Sequence, residues 1–224
     1  MKKAQLVTML RTRGQKYSEV LGIDVSDGET EIFKWFVASL LFGAPIYEAT
    51  AIRTYECFEK HGVLTPEKML KTGWNGLVSI LDEGGYARYD YKTADKIMMV
   101  MKSLIAEYSG KLSLIHDKTS DSQGLEKRLK DLGKGIGNVT LSIFLRDLRG
   151  VWAKADSKPT HLEILAAEEL GILRNAPAGE ALETLKIFWN ENRVAGYSFV
   201  NFETALLRVG KQSRSKRKRT GQAV

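Results

Sequence analysis

Leu132-Gly133-Lys134-Gly135-Ile136-Gly137-Asn138-Val139-Thr140-Leu141 is the stretch whose reading decides the fold. Upstream of it, Leu125, Leu129 and Leu132 recur at helical spacing. Downstream, Val139, Ile143, Phe144 and Leu148 continue the same period. The ten residues therefore read as helix, tight glycine turn, helix. Gly135 and Gly137 permit positive φ and let another molecule approach the backbone with no Cβ in the way. The second helix opens with N–H groups that lack an intrahelical acceptor, at the positive end of the helix dipole, which is a natural seat for phosphate. This pattern is a helix-hairpin-helix, a device for gripping nucleic-acid backbone without reading bases. The bland use of the same residues is a simple corner between two helices.

Working outward, nearly every segment has helical periodicity and none alternates convincingly as a strand. Residues 2–22 read as a first helix with Leu6, Met9 and Leu10 on one face. Asp27-Gly28-Glu29-Thr30 opens an apolar helix through Trp35, Phe36, Leu40 and Leu41, stopped at Gly43 and Pro45. A third helix runs from about Ile46 to His61. Thr65-Pro66-Glu67 starts another with Pro in its first turn, Trp74 to Leu81 forms a short one, and Gly84-Gly85 ends it. A loop rich in aromatics, Gly84 to Tyr91, precedes a long helix from about Lys92 to Tyr108. The polar stretch Asp117 to Ser122 leads into the hairpin. After Gly150, helices centred near Ile164, Leu185 and Leu206 complete the chain. The expectation is all-α, with about ten helices.

The chain has 224 residues, a net charge of +7 and a pI near 9.3. That balance favours a polyanionic partner, although much of the excess sits in the tail Lys211-Gln212-Ser213-Arg214-Ser215-Lys216-Arg217-Lys218-Arg219. No apolar run approaches the roughly 20 residues that span a bilayer. Thr8, Arg11 and Arg13 interrupt any signal-like core behind Met1-Lys2-Lys3, so an intracellular protein with no membrane partner is expected. Cys57 alone excludes an internal disulfide or a cysteine-ligated cluster, and it reads as a small buried side chain. His61, His116 and His161 have no ligand spacing, so no side-chain metal site is expected.

Five segments in order resemble the endonuclease III superfamily of DNA glycosylases, over about residues 30–170. Ser39-Leu40-Leu41-Phe42-Gly43-Ala44 looks like the helix end before the loop that faces DNA. Thr65-Pro66-Glu67-Lys68-Met69-Leu70 resembles T-P-x-x-M-L, and Gly85-Tyr86 through Lys92-Thr93-Ala94-Asp95-Lys96-Ile97 resembles G-x-Y…K-A-x-x-I. Leu132 to Thr140 matches L-P-G-V-G-x-K-T, and Ala155-Asp156-Ser157 matches the V-D-T that carries the family's aspartate. Four departures stand out. Val139 occupies the place of the Schiff-base lysine, and an apolar side chain cannot be that nucleophile. Lys134 replaces the turn proline, Ala44 or Pro45 replaces a glutamine, and the C-terminal four-cysteine cluster motif is absent. What remains is similar to the monofunctional, cluster-free members, several of which remove alkylated bases.

The resemblance implies a role for each of several residues. Asp156, 17 residues after Val139, is the catalytic candidate: a carboxylate stabilises the oxocarbenium-like sugar and orients or deprotonates the attacking water. The alternative is that Asp156 or Ser157 caps a helix opening at Lys158-Pro159. Asp147 is a weaker candidate that more naturally pairs with an arginine, and Lys158 is a minor candidate for reaching an abasic sugar. Lys134, Gly135, Gly137, Asn138 and Val139 form the DNA-contacting turn, whose carbonyls in this family also hold a monovalent cation. Tyr86 and Tyr89 occupy the loop that inserts a wedge where a base is flipped out; packing on the domain surface is their other use. Trp35, Phe42 and Trp74 are candidates for stacking on an electron-poor base, or are core residues at helical spacing.

Two lobes are expected: residues 31–146, with the hairpin at about 123–149, and a second lobe from 1–30 and 147–210, with the flipped base in the cleft between them. Residues 211–224 are expected to be a disordered basic tail that adds salt-sensitive DNA affinity. The function implied is a cofactor-free monofunctional glycosylase, acting as a monomer on double-stranded DNA with a damaged or mismatched base. The rivals are a catalytically silent DNA-binding relative and, further off, a bifunctional glycosylase/lyase.

Overall fold

Glu29-Thr30-Glu31-Ile32 begins the most apolar helix of the chain, and what it buries organises everything near the hairpin. The computed structural model describes residues 1–174 and 179–219. Among them are twelve helices and no strand: α1 (Lys3–Arg13), α2 (Tyr17–Val20), α3 (Glu29–Phe42), α4 (Glu48–Lys60), α5 (Pro66–Glu83), α6 (Asp90–Tyr108), α7 (Ser113–Asp117), α8 (Ser122–Asp131), α9 (Asn138–Asp147), α10 (His161–Glu169), α11 (Ala181–Glu191) and α12 (Phe199–Arg219). The all-α expectation therefore holds.

The chain divides into two units, Leu21–Asp156 and Met1–Val20 with Ser157–Val224. In the first, α3 buries an unbroken run from Trp35 to Leu41, so it is apolar all round as a central helix must be. The Trp35 indole N–H donates to the Phe144 carbonyl at 3.0 Å, and Phe36 meets Phe144 edge-on at 5.1 Å. These contacts seat α9 directly on α3. Gly43 completes the junction: a Cβ there would come 2.1 Å from Thr140 Oγ1. Its backbone is an ordinary αR C-cap (φ −71°), so the glycine serves close approach rather than an unusual backbone angle.

This unit is wider than the 31–146 expected, for two reasons. At its start, the Glu29 carboxylate accepts from the N–H groups of Leu112 at 2.5 Å and Ser113 at 2.9 Å, capping α7 and fixing residues before 31. At its end, Trp152 packs against Phe144 and stacks on His116 at 5.1 Å, which retains residues 147–156.

The second unit packs Leu6, Leu10, Leu185, Trp189, Phe202 and Leu206 together from α1, α11 and α12. The single helix expected over 2–22 breaks at Gly14. The Gly14 carbonyl accepts from Asn201 Nδ2 at 2.8 Å, and the Arg13 and Gln15 carbonyls accept from Arg208.

The expectation of disorder from Lys211 is overturned as far as Arg219, because α12 continues without a break. Once the buried turns of α12 nucleate the helix, adding Lys, Arg, Gln and Ser residues costs little. Specific contacts then hold it. Lys211 Nζ donates to the Tyr17 hydroxyl at 3.0 Å, and Glu169 accepts from Ser213 Oγ at 2.6 Å and Arg217 Nη2 at 2.8 Å. Residues 220–224 of the expected tail lie outside the described residues.

Candidate nucleic-acid interface

The turn between α8 and α9 has the backbone its glycines require. Gly135 has φ +94°, and the Lys96 side chain runs beneath it, so a Cβ there would meet Lys96 Cε at 2.8 Å. Gly137 is the extended N-cap of α9 (φ −95°, ψ 176°) and supplies no capping side chain. A Cβ on Gly137 would meet nothing within 4 Å, so its outer side is open. Asn138 and Val139 follow, both exposed, Val139 at 56%. The first N–H groups of α9, at the positive end of the helix dipole, follow directly on this open position. Ile136 and Leu132 bury the other side of the turn, and the Lys134 N–H donates to Met99 Sδ at 3.3 Å. Sequence reasoning finds the turn but misses both α6 supports, because nothing local to 132–141 encodes Lys96 or Met99.

Lys96 is half-buried, and burial lowers its ammonium pKa below the ordinary 10.5. A half-buried cation beneath the turn raises the positive potential there.

Asp156 lies at the end of the strap that follows α9. Its carboxylate is exposed and is held by Arg149 Nη1, which also donates to the Ala155 carbonyl at 3.5 Å. The strap is fixed by Trp152 and by Lys154, whose ammonium donates to the carbonyls of His116 and of Thr119, the latter at 2.6 Å. Arg149, Trp152 and Lys154 escape sequence reasoning because their partners lie in the strap and in residues 116–144. The expected helix at Lys158-Pro159 does not form. α10 begins at His161, and its cap is Thr160, with Glu163 completing a capping box. Asp156 is therefore not a helix cap, and Lys158 is an exposed side chain in a segment outside any helix. Asp147 is buried beside Arg146, 3.5 Å from its Nε, in keeping with an ion-paired group.

The aromatic candidates separate. Trp35 is fully buried with its N–H satisfied, so it is core and not a base-stacking face. Tyr86 is also buried. Its hydroxyl donates to the Leu41 carbonyl at 3.0 Å, and burial pushes its pKa up to about 12. Tyr86 therefore cannot act as a wedge. Tyr89 is half-buried, edge-on to Tyr86 at 6.5 Å, with the Arg88 guanidinium 5.6 Å from its ring centre. Phe42 is half-buried at the end of α3, 6.3 Å from Trp35. Trp74 is partly exposed on α5 and sits with Tyr91, away from the Trp35–Phe42 pair in its contacts.

Among the described residues no three His, Cys, Asp or Glu side chains gather into a metal site, and no helix is long and apolar enough to cross a membrane. Comparison with protein-family models, curated proteins and solved structures finds no match to this chain.

Proposed function

We propose that the protein is a monofunctional DNA glycosylase that hydrolyses the N-glycosidic bond of a flipped, damaged base and leaves an abasic site. The observation that carries this reading is the open N-terminus of α9 behind Gly137, in the same unit as an exposed aspartate held by a half-buried arginine. The turn N–H groups would take a backbone phosphate, with Lys134 beside them. As the C–N bond breaks, positive charge develops on the sugar, and the Asp156 carboxylate stabilises it. Water adds to the anomeric carbon, its proton passing toward Asp156, and the base departs. Arg149 keeps the Asp156 side chain in one place, which positions it for a charge that exists only transiently. Val139 offers no amine to attack the sugar, so strand cleavage is not expected. Alkylated purine is the first substrate class to test, followed by deaminated and mismatched bases.

The same Val139, with Asp156 already engaged by Arg149, supports one second reading: a DNA-binding protein with this turn and no base-excision chemistry. Asp156→Asn separates the two. Excision by the wild type that falls about 10²–10³-fold in the variant, with duplex affinity retained, supports the enzyme. Undiminished turnover removes Asp156 from the mechanism.

A further inference from the structure

Trp74 and Tyr91 are the exposed aromatic pair of the Leu21–Asp156 unit, 38% and 60% exposed, with ring centres 5.3 Å apart and planes at 36°. The Trp74 indole N–H donates to Asp95 Oδ1 at 2.8 Å, which fixes that ring against α6. Tyr91, Asp95 and Met99 stand at i, i+4 and i+8, a single row along α6. Lys92 and Lys96 form the adjacent row, one residue further round. Both rows end at the hairpin: Met99 accepts the Lys134 N–H, and Lys96 lies under Gly135. From Tyr91 to these two contacts is about 8–12 Å of helix, a short stretch of nucleic-acid backbone.

We propose that the Trp74–Tyr91 pair is a stacking platform for an unpaired nucleobase, on a single strand of DNA whose backbone follows Lys92 and Lys96 to the hairpin turn. This rests on the hairpin being a phosphate seat. Inside a duplex, base faces are covered by their neighbours, whereas an unpaired base presents a face that any exposed aromatic ring can take. A fixed tryptophan with a more exposed tyrosine offers such a surface, and the lysine row beside it complements phosphates rather than an apolar peptide. The platform would let the protein hold a single-stranded gap or overhang next to the duplex gripped by the turn.

Trp35, Trp152 and Trp189 are buried, so Trp74 dominates the solvent-accessible tryptophan signal. The test titrates the full chain with a short oligothymidylate and, separately, with an undamaged duplex. Tryptophan emission reports stacking, and affinities are measured for wild type, Tyr91→Ala and Gly137→Ala. The platform predicts quenching by the single strand and a loss of about five- to one-hundred-fold in Tyr91→Ala, the worth of one stacked base. That loss should exceed the loss on duplex at least threefold. Equal losses on the two ligands, or no quenching by the single strand, would overturn it. If Tyr91→Ala changes nothing while Gly137→Ala weakens duplex binding, the platform falls and the phosphate seat stands. Single-strand loss in Tyr91→Ala with unchanged duplex binding in Gly137→Ala keeps the stacking surface and unseats the hairpin.

Discussion

Lys96 sets stability against the proposed DNA binding most directly. Its ammonium is half-buried under Gly135, and burial lowers its pKa. A lysine whose folded pKa is depressed weakens the folded state while it is protonated, and that penalty fades as pH rises through the lowered pKa toward the ordinary value. Lys96→Met is therefore expected to raise the melting temperature at neutral pH while weakening DNA binding. The stability gap to wild type should close in strongly alkaline buffer; a lower melting temperature in the variant at pH 7 would contradict the account. Cys57 is a simpler case: it is buried on α4, and burial raises its thiol pKa, with Glu83 adding to the effect. Alkylation by iodoacetamide should be slow in the native protein and fast in denaturant. Fast native alkylation would mean that α4 opens locally.

At the scale of elements, the α3–α9 junction carries the hairpin, and it depends on Gly43. Gly43→Ala forces a methyl against Thr140 Oγ1, inside a packed site. Overpacking of this kind costs about 1–3 kcal/mol. Thr140→Ala in the same chain should recover much of the loss, a non-additivity that chemical denaturation of the two single variants and the double variant would measure. Additive effects would show that the contact is not what fixes the junction. The sequence signals for elements were strong here where they were local. Gly43 ends α3, Thr65-Pro66 starts α5, and the hairpin falls where its glycines are; the short helix expected from Trp74 is the second half of α5, past a break at Gly73 (φ +71°). They failed where a distant partner decides. Gly14 ends α1 in company with Asn201 and Arg208, and α7 forms under a cap from Glu29, 83 residues away. Among the aromatic candidates Trp35 fails for the same reason, since helical spacing alone cannot tell a ring satisfied by Phe144 from an exposed one.

For the whole molecule, charge is the property with consequences. The six basic residues of 211–219 supply all but one of the net +7, and they extend α12 instead of forming a loose tail. Removing residues 211–224 should flatten the dependence of log affinity on log salt, by up to about 0.9 for each lost phosphate contact. An unchanged slope would mean that the α12 extension, held by Glu169 and Tyr17, does not meet DNA. Gly137→Ala, by contrast, places a methyl in open space and should leave folding intact while weakening DNA binding whatever the lesion. The central claim is base excision without strand cleavage, and one measurement reaches it most directly. A panel of duplexes, each with a single alkylated, deaminated or mismatched base, is incubated with the full chain and resolved with and without hot alkali. The account predicts breaks at one lesion class only after alkali. Binding with no base released from any duplex, or breaks that need no alkali, would contradict it.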